Sequence, residues 1–192
     1  MDSRSRTRID RGFTLLELIT VMAVAAILMA IAIPSYMYVT SSNRIAAEVN
    51  GLLGDMQFAR AEAIKEGQTI TVCQSSDGAT CTGATSWQNG WLVFSDVNGN
   101  HVVNTGTDAI LRVQSPFSNT GSTDTFTANN AVSYVTFNRE GFATGAGIAN
   151  GTLITLHSTP LNNDSTRCLS VTLVGLMTVQ RHNQTNNTVT CL

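Results

Sequence analysis

The chain is poor in the residues that catalysis and metal binding usually need. Its only three histidines, His101, His157 and His182, each stand apart from any ready partner in sequence. No G-x-S-x-G, no H-E-x-x-H and no phosphate-cradling glycine loop occurs. The four cysteines, Cys73, Cys81, Cys168 and Cys191, include no C-x-x-C and no histidine pair nearby, so zinc spacing is absent. The expectation is therefore no metal, no cofactor and no enzyme. A triad assembled in space is the one catalytic arrangement left open, because triads need not be sequential. Charge is also scarce, at 12% of 192 residues with a formal net of −2. That total gives neither nucleic acid nor an anionic surface a reason to bind.

What charge there is lies unevenly. Arg4, Arg6, Arg8 and Arg11 crowd the first dozen residues against Asp2 and Asp10, and setting these six aside leaves 7 basic and 11 acidic residues, a net of −4. The remainder is rich in Thr, Asn, Gly and Ser, with Val and Ile spread through it. Such a mixture suits a β-rich extracytoplasmic domain better than a helical cytosolic one.

From Phe13 to Ile33 the chain reads FTLLELITVMAVAAILMAIAI, 21 residues with the single charge of Glu17. As a helix it spans roughly 30 Å, the thickness of a bilayer core. The four preceding arginines predict a cytoplasmic N-terminus, with everything after Pro34 outside. Three readings compete. A secretory signal peptide has a shorter apolar core and a small-residue cleavage site, which Ala30, Ala32 and Pro34 imitate only faintly. A plain signal anchor explains length and orientation but not Glu17. A prepilin leader, basic up to Gly12 and followed by Phe13 with Glu17 just inside the apolar run, explains all three residues. A carboxylate inside a bilayer costs roughly 2.5–3.5 kcal/mol, so Glu17 needs a partner or must reach back to the headgroups.

The run RGFTLLELITVMAVAAILMAIAIPSY resembles the class III signal of type IV pilins and type II secretion pseudopilins. The resemblance implies that a prepilin peptidase cuts between Gly12 and Phe13 and methylates the new α-amino group. It also implies that the subunit waits in inner-membrane lipid and then packs with other pilins through this helix. Glu17 would pair with the Phe13 amine of a neighbouring subunit, which fixes axial register because the carboxylate is satisfied at only one stagger.

Pro34 predicts a kink or local break. Beyond it Ile45, Val49, Leu52, Met56, Ala59 and Ala63 recur at three- and four-residue steps, the pattern of a helix with one apolar face. Arg44, Glu48, Asp55, Glu62 and Lys65 are expected opposite, with Gly67 as the C-cap. The helix should run, bent, from about Phe13 to Glu66. Short β-type runs follow (TITVC, WLVFSD, ILRVQ, VSYVTFN, TLITLH, CLSVTLV and LMTVQR), separated by turn-forming stretches. The Ser/Thr/Asn-rich residues 115–130 are expected to form a loop. The fold class is thus α+β, a long bent N-terminal helix packed on an antiparallel sheet, as in the pilin fold. The expected boundaries are 1–12 for a cleaved leader and 13–33 for the membrane and assembly helix. Residues 34–67 form its amphipathic continuation and 68–192 a periplasmic β-rich domain.

The stretches FARAEAIKEGQTITVCQSSDG, WQNGWLVFSDVNGN, ILRV and FNREGFA resemble the GspH/FimT-type minor pilins and pseudopilins, most distinctively in W-x-x-G-W-x-V-F. Trp87 and Trp91 within it are themselves expected in the core or on a sheet face. Outside the inner membrane disulfides can form. Four cysteines allow three connectivities, and Cys73–Cys81 with Cys168–Cys191 closes the shortest loops. Loop entropy assigns these roughly 2.5 and 3.5 kcal/mol. Asp96, Asn98 and Asn100 imitate part of a calcium loop, but Gly99 comes too early and no terminal Glu follows. A hairpin turn centred on Asn98-Gly99 is expected instead. The resemblance also raises DNA as a partner, since FimT-type relatives carry a Gly-Arg-x-Arg turn near the C-terminus. Here the matching residues are Gly175-Leu176-Met177-Thr178, without either arginine, leaving Arg181 and His182 as weak candidates for nucleic-acid contact. The resemblance implies a low-abundance structural subunit for initiation or tip assembly of a type IV pilus. The alternatives are a type II secretion pseudopilin driving protein export and a DNA-binding minor pilin for natural transformation.

Overall fold

A computed structural model describes residues 12–117, 123–145, 152–157, 161–186 and 189–191. Of the expected leader only Gly12 falls within them. The chain divides into two compact units, residues 1–40 and residues 41–192. A 52-residue helix, α1 (Leu15–Glu66), runs through that division and contains Pro34 without interruption. It is the one described helix long and apolar enough to cross a membrane.

Within residues 41–192, α1 buries the predicted stripe. Ile45, Val49, Leu52, Met56, Ala59 and Ala63 are all at most 1% exposed. The helix stops at Gly67, whose φ of +66° lets its N–H return to the Ala63 carbonyl at 3.0 Å. The expected polar face needs correction. Residues 48 and 55 stand three positions from members of the stripe, so they flank it rather than oppose it. Asp55 accepts hydrogen bonds from Trp91 Nε1 (2.9 Å) and Arg112 Nη1 (2.9 Å), and the Arg112 guanidinium lies 3.8 Å from the centre of the Phe58 ring. Arg44 makes a two-pronged bond to the buried Asp124 at 2.6 and 2.8 Å. These flanking charges tether the helix to the sheets.

The strands fall into two main sheets, where the sequence suggested one. Strands β1 (Ile70–Gln74), β2 (Trp91–Ser95), β3 (Ile110–Gln114), β5 (Tyr134–Phe137) and β6 (Ala143–Thr144) form a sheet of order β3-β2-β1-β5-β6. Strands β4 (Thr125–Ala128), β7 (Thr152–His157), β8 (Arg167–Val171) and β9 (Met177–Arg181) form a second, of order β4-β7-β8-β9. A short ribbon pairs β10 (Thr185–Asn186) with β11 (Val189–Thr190). Every pairing is antiparallel. The expected loop at residues 115–130 proves to contain β4, whose Thr-Phe-Thr alternation buries Phe126 while leaving Thr125 and Thr127 exposed.

One core joins helix and both sheets. Ile70, Val72, Trp91 and Val93 from the first sheet meet Phe126, Ile154, Leu156, Leu169 and Val171 from the second beneath the stripe of α1. The first sheet is covered on its other face too, where Cys73, Leu92 and Phe94 pack with Cys81, Val103 and Tyr134. Burial on both faces explains why WLVF, residues 91–94, reads as an unbroken apolar run. Two disulfides close the domain, Cys73–Cys81 and Cys168–Cys191, with Cα separations of 5.6 and 5.7 Å.

Candidate assembly segment and the polar clusters of the domain

The helix begins at a cap that the sequence carries but that the spacing of charges alone did not reveal. Thr14 Oγ1 accepts from the Glu17 N–H at 3.2 Å, the T-x-x-E spacing of a capping box. Glu17 thus occupies the first turn, where a carboxylate complements the partial positive charge of the helix N-terminus. Thr20 Oγ1 donates to the Glu17 carbonyl at 2.9 Å. Gly12 and Phe13 precede the cap, and Phe13 is 82% exposed. From Leu15 to Val39 every large apolar side chain is exposed on all sides of the helix. A helix apolar all round is soluble only in lipid or among other apolar helices. This segment therefore has the chemistry of membrane insertion and of helix packing, with one carboxylate near its start.

The W-x-x-G-W motif is structural. Trp87 and Trp91 are buried, and their indole N–H groups reach the Val132 carbonyl at 3.0 Å and Asp55 Oδ2 at 2.9 Å. Trp91 packs edge-on against Phe117 and Phe126 at 5.8 and 6.2 Å. Gly90 adopts φ +98°, and a Cβ there would stand 2.4 Å from the Gln114 carbonyl and 2.8 Å from that of Ser75. Only glycine fits between the two tryptophans.

In the acidic loop after β2, Asp96 is committed to the inside of the domain. That carboxylate is buried and points inward, accepting from the Asn100 N–H, the His101 N–H and Thr71 Oγ1 at 2.9–3.0 Å. The turn here spans Asp96 to Gly99, closed by Gly99 N–H to the Asp96 carbonyl at 3.2 Å, so Val97-Asn98 are its central residues rather than Asn98-Gly99. A 14-residue connection between β2 and β3 replaces the expected tight hairpin. In the loop at the opposite end of the β1–β2 pair, two backbone N–H groups and the Thr80 hydroxyl hold the exposed Asp77 carboxylate below its ordinary range.

Asp96, His101 and Thr136 do converge, as a spatial triad would. Yet His101 Nδ1 faces both Thr136 Oγ1 (3.1 Å) and Asp96 Oδ2 (3.3 Å), and the ring stacks on Tyr134 at 4.1 Å. A relay needs the acid on one ring nitrogen and the nucleophile on the other. Here both share one nitrogen, so no proton can pass through the ring between them. Among the described residues no three His, Cys, Asp or Glu side chains gather as metal ligands.

Comparison with known proteins agrees with this anatomy. The model of the prokaryotic N-terminal methylation motif matches residues 7–33. That of the type II transport protein GspH matches residues 48–175, two thirds of the chain. The chain belongs to the GspH family. The family is one of structural pilin and pseudopilin subunits and not a class of enzymes. The methylation motif implies processing by prepilin peptidase and assembly with pilin-type proteins, and it fits an inner-membrane anchor. Among solved structures, the type IV minor pilin FimU of Pseudomonas aeruginosa PAO1 has the same fold. One crystal form gives a TM-score of 0.54 at 20% identity, covering 76% of this chain and 95% of FimU. A second gives 0.50 at 21% identity, covering 76% and 98%. A search of curated proteins found no match.

In this GspH-family chain the candidate nucleic-acid residues do not form a patch. Arg181 ends β9 and is exposed, whereas His182 is half-buried with Nδ1 fully enclosed. His182 opens the turn closed by the Gln184 N–H on the Arg181 carbonyl at 3.0 Å, and with its Nδ1 enclosed the pair offers a phosphate one exposed cation rather than a cluster. The turn that should correspond to Gly-Arg-x-Arg runs from Thr172 to Leu176, closed at 3.0 Å, while Met177 and Thr178 already belong to β9. Gly175 adopts φ +73° and packs against Arg60, whose Nε donates to the Gly141 carbonyl at 2.9 Å.

Proposed function

We propose that this chain is a minor pilin of a type IV pilus, a low-abundance subunit that starts or caps the filament. The observation that carries the reading is the first half of α1, exposed and apolar on every side, in a GspH-family chain with the fold of the minor pilin FimU. Residues 1–12 serve as the cytoplasmic leader. A prepilin peptidase cuts after Gly12 and methylates Phe13. Residues 13–33 anchor the subunit in the inner membrane, with residues 34–67 as the amphipathic continuation and residues 68–192 in the periplasm. During assembly Glu17 leaves its place by the helix cap for the Phe13 amine of a neighbouring subunit, and the pair sets the stagger between helices.

Counting surface pili by electron microscopy in a deletion strain tests this. Pili should be lost, return with the wild-type gene, and fail to return with Gly12→Ala, whose product should keep its leader. Pilus numbers unaffected by the deletion overturn the reading. The description of the matched family favours one second reading, a type II secretion pseudopilin. Under it the deletion would spare pili and block protein export.

A further inference from the structure

The face of the four-stranded sheet turned away from the core carries a group of polar side chains. Leu156 pairs with Arg167, and Arg167 with Arg181. His157 ends β7 one residue past the first of these pairings, Thr166 immediately precedes β8, and His182 opens the Arg181–Gln184 turn that follows β9. One contact and one electrostatic effect link these residues. Thr166 Oγ1 lies 3.4 Å from His157 Nδ1. Burial, and then the charge of the nearby His182, hold the His157 imidazole below its ordinary pKa.

A second row lies beside the first on the same face, made of Thr155, Cys168 and Gln180. Cys168 Sγ and Thr155 Oγ1 are 3.5 Å apart, which fixes the side on which both project. Gln180 is 3% exposed, and neither its Oε1 nor its Nε2 has a hydrogen-bond partner. His182 Nδ1 is equally enclosed and unpartnered. A buried polar atom without a partner is costly, so orphans on an amide and an imidazole two residues apart call for a ligand.

We propose that His157, His182 and the Gln180 carboxamide oxygen bind a divalent transition-metal ion of the zinc type, with water completing its shell. Two imidazoles and a carbonyl oxygen suit zinc, copper or nickel and are too few in oxygen for calcium or magnesium. Strands one removed from each other lie about 10 Å apart, a gap that two imidazole side chains with metal–nitrogen bonds of about 2 Å can close. Both rings are half-buried, so each keeps part of its surface exposed while His182 Nδ1 stays enclosed. The Cys168–Cys191 disulfide reaches this face, and Asn183 N–H bonds to the Cys191 carbonyl at 2.8 Å while Cys191 N–H bonds to that of Gln184 at 3.0 Å. The ion would pin the end of β9 to β7 beside that disulfide, as a second staple for the C-terminal segment. This site is independent of the assembly reading.

The test uses the full chain in detergent micelles, stripped with chelator and titrated with zinc sulfate. Calorimetry should find one ion per chain, and Tm should rise with zinc because the ion binds only the folded state. His157→Ala and His182→Ala should each weaken binding by at least about tenfold, Gln180→Ala by less, and His101→Ala not at all. In the wild-type protein, NMR should show the ring signals of His157 and His182 moving on zinc addition while those of His101 stay. That measurement stands even if an alanine variant fails to fold. No zinc binding, or binding that leaves both rings unmoved, overturns the proposal and assigns the orphan atoms to water.

Discussion

Residues 15–39 and residues 45–63 belong to one helix and obey opposite rules. Along the first stretch the large apolar side chains are 44–77% exposed, from Leu15 and Leu16 near the start to Tyr38 and Val39 at the end. Along the second, Ile45, Val49, Leu52, Met56, Ala59 and Ala63 are at most 1% exposed. Helix propensity does not separate them, since both are α-helical throughout. What differs is the distribution of apolar residues around the axis. A stripe can be buried by one's own sheets, whereas an all-round apolar surface needs lipid or the helices of other subunits.

The largest expected effect breaks this comparison directly. Leu52→Ala removes a fully buried side chain and should lower the stability of the domain by about 2–5 kcal/mol. Leu28→Ala, at a residue 62% exposed, should change it by no more than about 0.5 kcal/mol. Denaturation of the full chain in detergent, followed by the fluorescence of the buried Trp87 and Trp91, reads both. Equal losses would mean that the two stretches share one cooperative unit.

A smaller contrast compares two glycines of the domain. Gly90 and Gly67 both lie at positive φ, +98° and +66°. A Cβ at Gly90 meets two backbone carbonyls, whereas one at Gly67 meets nothing within 4 Å. Gly90→Ala should therefore cost about 3 kcal/mol, from backbone strain plus a clash that backbone atoms cannot relieve. Gly67→Ala carries the backbone penalty alone, about 1 kcal/mol. Denaturant midpoints of the two variants separate crowding from conformation.

Much of this architecture is legible in the residues, because its signals are local. The 21-residue apolar run with Glu17, the three-and-four spacing of the stripe and Gly67 at the helix end each rest on a short window of sequence. The features that escaped such reading are non-local. β4 hides in a Ser/Thr/Asn-rich stretch, because Phe126 is its only large apolar residue and its partner β7 lies more than two dozen residues away. Asp55 and Arg44 look like solvated charges until Trp91, Arg112 and Asp124 arrive from distant strands. The Thr14 cap was readable as T-x-x-E and hid within the apolar run. The histidines looked isolated because 25 positions part His157 from His182 in sequence, whereas antiparallel pairing sets the end of β7 and the turn after β9 at the same end of the sheet.

The smallest effect asks whether acid reaches the domain through one of those histidines. The folded-state pKa of His157 is lowered from 6.5, first by burial and then by His182, so the folded protein takes up a proton less readily than the unfolded chain. The sign follows from linkage: stability rises with pH wherever the unfolded state binds more protons. The contribution of His157 is therefore complete above about pH 6.5 and declines as pH falls through that value towards the lower folded one. Below both values it is constant again. With chelator present to keep the site empty, Tm measured from pH 7.5 down to 5 should fall for the wild-type chain, and His157→Gln should flatten that slope. A slope unchanged by the substitution would move the acid sensitivity to another group. The helix content of residues 15–39 in detergent should stay constant across the same range, because that stretch is held by apolar contact with its surroundings and not by the packing that buries His157.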